Sequence, residues 1–210
     1  MTGIWEMLSR GGIVMIPLLL TSVLGLAVAI ERAVFLRRRR ILRPDVLAVV
    51  GSIEKPDDIE RVVNDLARRN DPFVNIVRVT LQHRGRRREE IKEAVVDQGR
   101  REARSLERGL VILETVAGIA PLLGLLGTVT GMIRVFRVIS EQGLGQTQSL
   151  SGGISEALIT TVVGLIIAIP ALVAYNYFSH KVEDLVLEIE KYSSQLLNKL
   201  DGFQGHRNSK

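Results

Sequence analysis

The sequence predicts an all-α membrane protein: three transmembrane helices, the second and third extended into a cytoplasmic helical bundle. Three observations lead there. Charged residues make up 24% of the 210 residues, yet mean hydropathy is positive at +0.20, so apolar and charged residues are segregated along the chain. Three long stretches carry no charge at all: residues 13–30, 115–133 and 157–179. Between them no alternating strand pattern runs for any length.

Residues 1–12 form a short N-terminal segment, and the first span covers 13–36. Its 18 uncharged residues make about 27 Å of helix. Ala33 to Leu36 lengthen it enough to cross a hydrocarbon core of roughly 30 Å. A cleaved signal peptide places positive charge before its apolar region. Here only Arg10 precedes, whereas Arg32, Arg37, Arg38, Arg39 and Arg40 follow. That is a stop-transfer pattern, so the segment should remain in the mature chain.

Residues 37–109 are soluble and helical. Asp57 and Asp58 after Pro56 open a helix with Ile59, Val62, Val63 and Leu66 on one stripe. Phe73, Ile76, Val77 and Leu81 form another after Asp71-Pro72, and the arginine-rich stretch 84–88 around Gly85 is a break. From Glu89 the pattern reads as one continuous helix through Ile91, Val95, Leu106 and Leu110 into the second span, with Gly99, Gly109 and Gly118 tolerated inside it. The second span is 110–139, the connection 140–153, the third span 154–178 and the tail 179–210. In the tail, Val182, Leu185, Ile189, Tyr192 and Leu196 make an apolar seam that needs helical neighbours. Beyond Gly202 the tail should fray.

Sidedness follows from arginine. Residues 37–109 hold 19 Lys and Arg against 13 Asp and Glu, and the basic residues crowd the flanks of the spans. The 140–153 connection has Glu141 as its one charge. Positive residues stay inside. The N-terminus is therefore periplasmic, and the 37–109 region and the tail are cytoplasmic.

Composition also removes alternatives. Without cysteine there is no disulfide, thiolate metal site or cysteine nucleophile. No phosphate loop or zinc-type histidine pairing is present, and His83, His180 and His206 are scattered outside the spans. No enzyme, cofactor or metal is expected. The net charge of +5 and pI near 9.9 come from orientation signals and contacts with anionic membrane lipids rather than nucleic acid, because no reading module or interleaved aromatics accompany the arginines.

The second and third spans carry the chemistry. Ala120, Gly124, Gly127 and Gly131 recur at helical spacing, as do Ala157, Gly164 and Ala168. Small residues let membrane helices approach closely. These faces, with the tail seam, are expected to hold a closed homo-oligomer. A plain packing face explains the glycines but not Thr128, which shares the face of Gly124 and Gly131; Thr161 shares the face of Ala157, Gly164 and Ala168. Glu156 is the one formally charged residue between Gln142 and His180. It is either a functional membrane carboxylate or an interfacial one favoured by the helix N-terminus. On an ideal helix it points about 100° from the centre of the small-residue face.

Ala120-Pro-x-x-Gly-Leu-x-Gly-Thr-Val-x-Gly-Met132 is followed by Gly153-Ile-x-Glu-Ala-Leu-x-x-Thr161 and Gly164-Leu-x-x-Ala-Ile-Pro-Ala171. Together these resemble the MotA/TolQ/ExbB proton-channel family over essentially the whole chain. Glu31-Arg32 with the arginines behind it resembles the end of that family's first span, and three spans match its TolQ/ExbB branch. The resemblance implies a homopentamer around a dimer of an ExbD/TolR-like single-span protein that supplies a membrane Asp. Protons are the coupling ion, and a TonB/TolA-like periplasmic protein transmits the work. It maps the proton pathway to Thr128, Glu156 and Thr161, with Thr160 as a further candidate beside Thr161. No Asp lies inside any span of this chain.

Two other classes compete. A small-solute transporter would show internal repeats or interrupted helices with several polar residues. A non-conducting scaffold would leave Glu156 unexplained. Topology is open to direct test, since the chain has no cysteine. Single cysteines at Ser105 and Ser193 should resist an impermeant maleimide in intact cells, while one at Ser149 should react. Labelling at Ser105 would overturn the orientation.

Overall fold

The computed structural model describes residues 12–53, 55, 58–142 and 147–207. Every regular element among the described residues is a helix: α1 (Met15–Phe35), α2 (Arg38–Ile41), α3 (Pro44–Gly51), α4 (Asp58–Leu66), α5 (Pro72–Gln82), α6 (Arg88–Glu107), α7 (Leu110–Gln142) and α8 (Thr147–Arg207). Three of them, α1, α7 and α8, are long and apolar enough to cross a membrane. The protein is an all-α membrane protein with three spans.

Local chemistry sets the helix ends. Pro44 and Pro72 open α3 and α5, where a missing N–H is harmless and a fixed φ is already helical. Gly85, with φ +95, makes the turn before α6. Pro56 and Asp57, expected at the start of α4, lie outside the described residues, as do residues 1–11 of the N-terminal segment. Helix reaches Gln142 and resumes at Thr147, so it occupies both ends of the stretch left as a connection in the sequence. At the other end α8 continues to Arg207, past the Gly202 where fraying was expected.

The chain divides into two compact units. The first comprises residues 1–32 and 109–177, the second residues 33–108 and 178–210.

In the second unit the apolar stripes are buried as their spacing predicts. Ile59, Val62 and Leu66 of α4, Phe73, Ile76, Val77 and Leu81 of α5, and Ile91 and Leu106 of α6 enter its core. Val182, Leu185, Ile189 and Leu196 of α8 join them, and the Phe73 and Tyr192 rings meet edge to face at 6.0 Å. Ion pairs at the surface add ties: Arg38 to Glu188 at 2.8 Å and Arg88 to Asp201 at 2.5 Å. Arg69 donates to Asp45 and, with Arg43, holds that carboxyl below the usual carboxylate range. Such exposed pairs contribute about 0–1 kcal/mol each, so the apolar core dominates. Ser193 is also buried, its hydroxyl donating to the Ile189 carbonyl at 2.7 Å. The neighbouring exposed Ser194 is therefore the better position for a labelling probe in the tail.

One expectation fails in the first unit. The helix expected to run unbroken from Glu89 into the second span stops at Glu107 and restarts at Leu110. Gly109 adopts φ +92, and a Cβ there would lie 3.2 Å from Arg32 Nε. Tertiary contact decides this break rather than helix propensity. Arg32, near the C-terminal end of α1, is 5% exposed and bonds Glu31 at 2.6 Å, and its side chain fills the space beside the glycine. On the rest of the unit, the large apolar side chains Leu20, Val23, Leu122, Leu125, Leu165 and Ile169 are exposed.

Two glycines thus separate. Gly109→Ala should destabilise the purified protein by about 1–3 kcal/mol, since a non-glycine residue would be held in the left-handed region against Arg32. Gly99→Ala inside α6, where a Cβ meets nothing within 4 Å, should stabilise by about 0.5–1 kcal/mol. Thermal unfolding followed by helical circular dichroism checks both signs.

Candidate functional site

The site is built from missing side chains. Helices α7 and α8 run antiparallel, and wherever they cross, one of them presents a small residue. A Cβ on Gly164 would lie 2.6 Å from the Ala120 carbonyl oxygen and 3.2 Å from Gly124 Cα. One on Gly124 would lie 2.9 Å from the Thr160 carbonyl oxygen, and one on Gly131 2.9 Å from Ala157 Cβ. One on Gly127 would overlap the Thr160 hydroxyl. Ala120, Ala157 and Ala168 are buried in the same region. Within one chain the two faces are seated on each other. A short connection joins the helices, so their docking loses no translational freedom.

This approach brings two hydroxyls into contact. Thr128 of α7 and Thr161 of α8 are hydrogen-bonded through their Oγ1 atoms. Thr128 Oγ1 also lies 3.2 Å from the Ala157 carbonyl and 3.3 Å from its own Gly124 carbonyl, and Thr161 Oγ1 lies 3.2 Å from the Gly124 carbonyl. Each hydroxyl has one proton to donate. When Thr161 donates to Thr128, Thr128 donates to a carbonyl. When Thr128 donates to Thr161, Thr161 donates to Gly124. The pair therefore has two proton orders of similar geometry. Both side chains are half-buried, at the edge of the seam rather than its centre.

The other candidates fall elsewhere. Thr160 is fully buried inside the seam, donates to the Ala157 carbonyl at 2.8 Å and fills the notch over Gly127. Glu156 is directed away from the threonine pair. Its Oε2 accepts from Arg134 Nη1 at 2.5 Å, and its Oε1 lies where a Cβ on Gly12 would be. Arg134 and Gly12 were missed in the sequence. Arg134 was accessible, because an antiparallel pair that sets Thr128 against Thr161 sets the residue about one and a half turns further along α7 against Glu156. Gly12 was not, since it lies before α1, far from both helices in sequence. Among the described residues, no group of His, Cys, Asp or Glu could hold a metal ion.

The threonines and glycines of this seam are the residues on which the sequence resemblance rests, and comparison with known proteins agrees. A profile of the MotA/TolQ/ExbB proton channel family matches residues 68–191. The chain belongs to that family. A Synechocystis protein named Putative biopolymer transport protein ExbB-like 1 is 38% identical over 176 residues, covering 80% of this chain and 67% of that protein. A Methanothermobacter thermautotrophicus ExbB homolog is 30% identical over 187 residues, covering 88% and 66%. The Tol-Pal system protein TolQ of Haemophilus influenzae is 45% identical over 82 residues, 39% of this chain and 36% of TolQ. The solved structure of C. jejuni MotAB aligns with 85% of this chain and 61% of its own, at 21% identity and a TM-score of 0.48. The chain thus spans about two thirds of the length of the first two relatives and less of TolQ.

For this family member the seam itself can be tested. Gly164→Ala would meet backbone on α7, which cannot step aside, whereas Gly127→Ala would meet one side chain. Both should lose stability, on the order of 1–3 kcal/mol for overpacking. Thr160→Gly, which removes the Cβ that would lie 2.5 Å from the added one, should recover stability in Gly127→Ala but not in Gly164→Ala. Melting temperatures of the four variants in detergent decide it.

Proposed function

We propose that the chain is an ExbB/TolQ-like subunit of a bacterial inner-membrane motor driven by the proton-motive force. Five copies enclose the membrane helices of a dimeric single-span partner of the ExbD/TolR type, whose membrane Asp carries the proton. A TonB/TolA-like periplasmic effector takes up the work. The N-terminus and the α7–α8 connection face the periplasm, and the second unit faces the cytoplasm. The names of the relatives, biopolymer transport proteins and a Tol-Pal component, support energy transduction rather than an enzymatic role.

The observation that carries this reading is the Thr128–Thr161 pair. A switchable pair of hydroxyls at the edge of an otherwise apolar seam offers a partner's carboxyl group, or a water, a donor and an acceptor without a fixed charge in the membrane. Thr160 is sealed inside the protomer and is outside this pathway. Glu156 stands beside the pathway, at the α1-facing end of the same helix pair.

A second reading has an observation of its own. Thr128 contacts the Ala157 carbonyl and Thr161 the Gly124 carbonyl across the seam, contacts that also serve a non-conducting scaffold. Thr161→Val separates the two, because it nearly keeps the shape and removes the hydroxyl. The variant should insert, assemble and copurify with its partner, yet lose energy-coupled work by roughly tenfold, the scale of about 1.4 kcal/mol. Full work in both Thr128→Val and Thr161→Val would leave the scaffold as the better account.

A further inference from the structure

Glu156 raises a question that the threonine pair does not answer. A carboxylate near the hydrocarbon core is costly, by about 3 kcal/mol at the helix centre, and needs a partner. Its side chain is 16% exposed, and its two oxygens go to two different elements. Oε2 accepts from Arg134 on α7, and Oε1 lies against Gly12. Gly12 has φ +67, and its carbonyl accepts from Met15 N at 3.1 Å, so it forms the turn that opens α1. A helix N-terminus favours a carboxylate. Three segments therefore meet on one acidic group: α7, α8 and the entrance to α1.

From this geometry we infer that Arg134 is a positioning residue, which clasps Glu156 against the opening turn of α1 and so fixes the axial register of α7 against α8. Register matters because one residue of slip along a helix is about 1.5 Å, enough to part the Thr128 and Thr161 hydroxyls. Thr160 over Gly127 marks the register inside the seam, and the ion pair adds a second fixed point outside it. An ion pair about one and a half turns away pins both translation and rotation. Gly12 completes the clasp, because any side chain there would displace the carboxylate. The clasp stands on geometry alone. Its consequence for energy coupling rests on the proposed motor reading.

The cysteine-free chain supplies a ruler. In Thr128→Cys/Thr161→Cys the two sulfurs replace contacting hydroxyls, so the full-length protein should form a disulfide under mild oxidant. Adding Arg134→Gln or Glu156→Gln should slow that cross-link by about threefold or more, the lower range for coupling between residues in contact. The double change should be no worse than either single one. Arg134→Lys should keep most of the rate. No cross-link in the parent or an unchanged rate in Arg134→Gln would overturn the clasp. Work by the complex with its native partner is scored separately, in chains without the introduced cysteines. If Thr128→Val and Thr161→Val work fully while the cross-link follows the clasp, the motor reading falls and the clasp stands. If those valine variants fail while the cross-link ignores Arg134, the clasp falls and the motor reading stands.

Discussion

The membrane half of this protein depends on how closely two helices can approach. In lipid there is no hydrophobic drive to join helices, so contact distance and hydrogen bonding must supply the attraction. Gly124, Gly127, Gly131 and Gly164 remove the side chains that would hold α7 and α8 apart. Once the backbones touch, carbonyls of Gly124 and Ala157 come within reach of hydroxyls on the opposite helix. The polar pair is thus a product of the seam. It forms because two threonines lie where two glycine-lined faces already meet.

Charge at the ends of the first unit follows a common rule. Arg32 packs against Gly109, and the Glu156 carboxylate packs against Gly12. Both glycines have positive φ, at +92 and +67, and each leaves a gap that a charged group enters. Each charged group also has an opposite partner, Glu31 for Arg32 and Arg134 for Glu156. A buried charge is tolerable when paired and hydrogen-bonded. Turn geometry and charge burial are therefore solved together, by one residue type, at both sites.

Much of this was legible in the sequence. Uncharged runs gave the three spans, because the length of a membrane helix is set by the bilayer. The stripes at Ile59 to Leu66 and Phe73 to Leu81 gave α4 and α5, because period and burial coincide there. Thr128 was singled out because a packing face does not need it, and Thr161 because the family resemblance maps the proton pathway there. What escaped depended on a third element. Gly109 looks like a tolerable helical glycine until Arg32 arrives beside it. Glu156 could not be assigned from α8 alone, since its partners lie on α7 and before α1. The small-residue faces were read as contact surfaces, and within one chain they meet each other. Periodicity shows that a face is buried and is silent on what buries it.

The hydroxyl pair has one more implication, for the cell that makes this protein. Hydroxyls reorder their protons without gaining or losing charge. On the motor reading, a subunit produced without its partner holds a seam that is polar but cannot store a proton. Surplus subunits would then sit in the membrane without draining the gradient that they exist to use. Leakage would be prevented by dividing the wire between two gene products, so that only the assembled machine is a conductor.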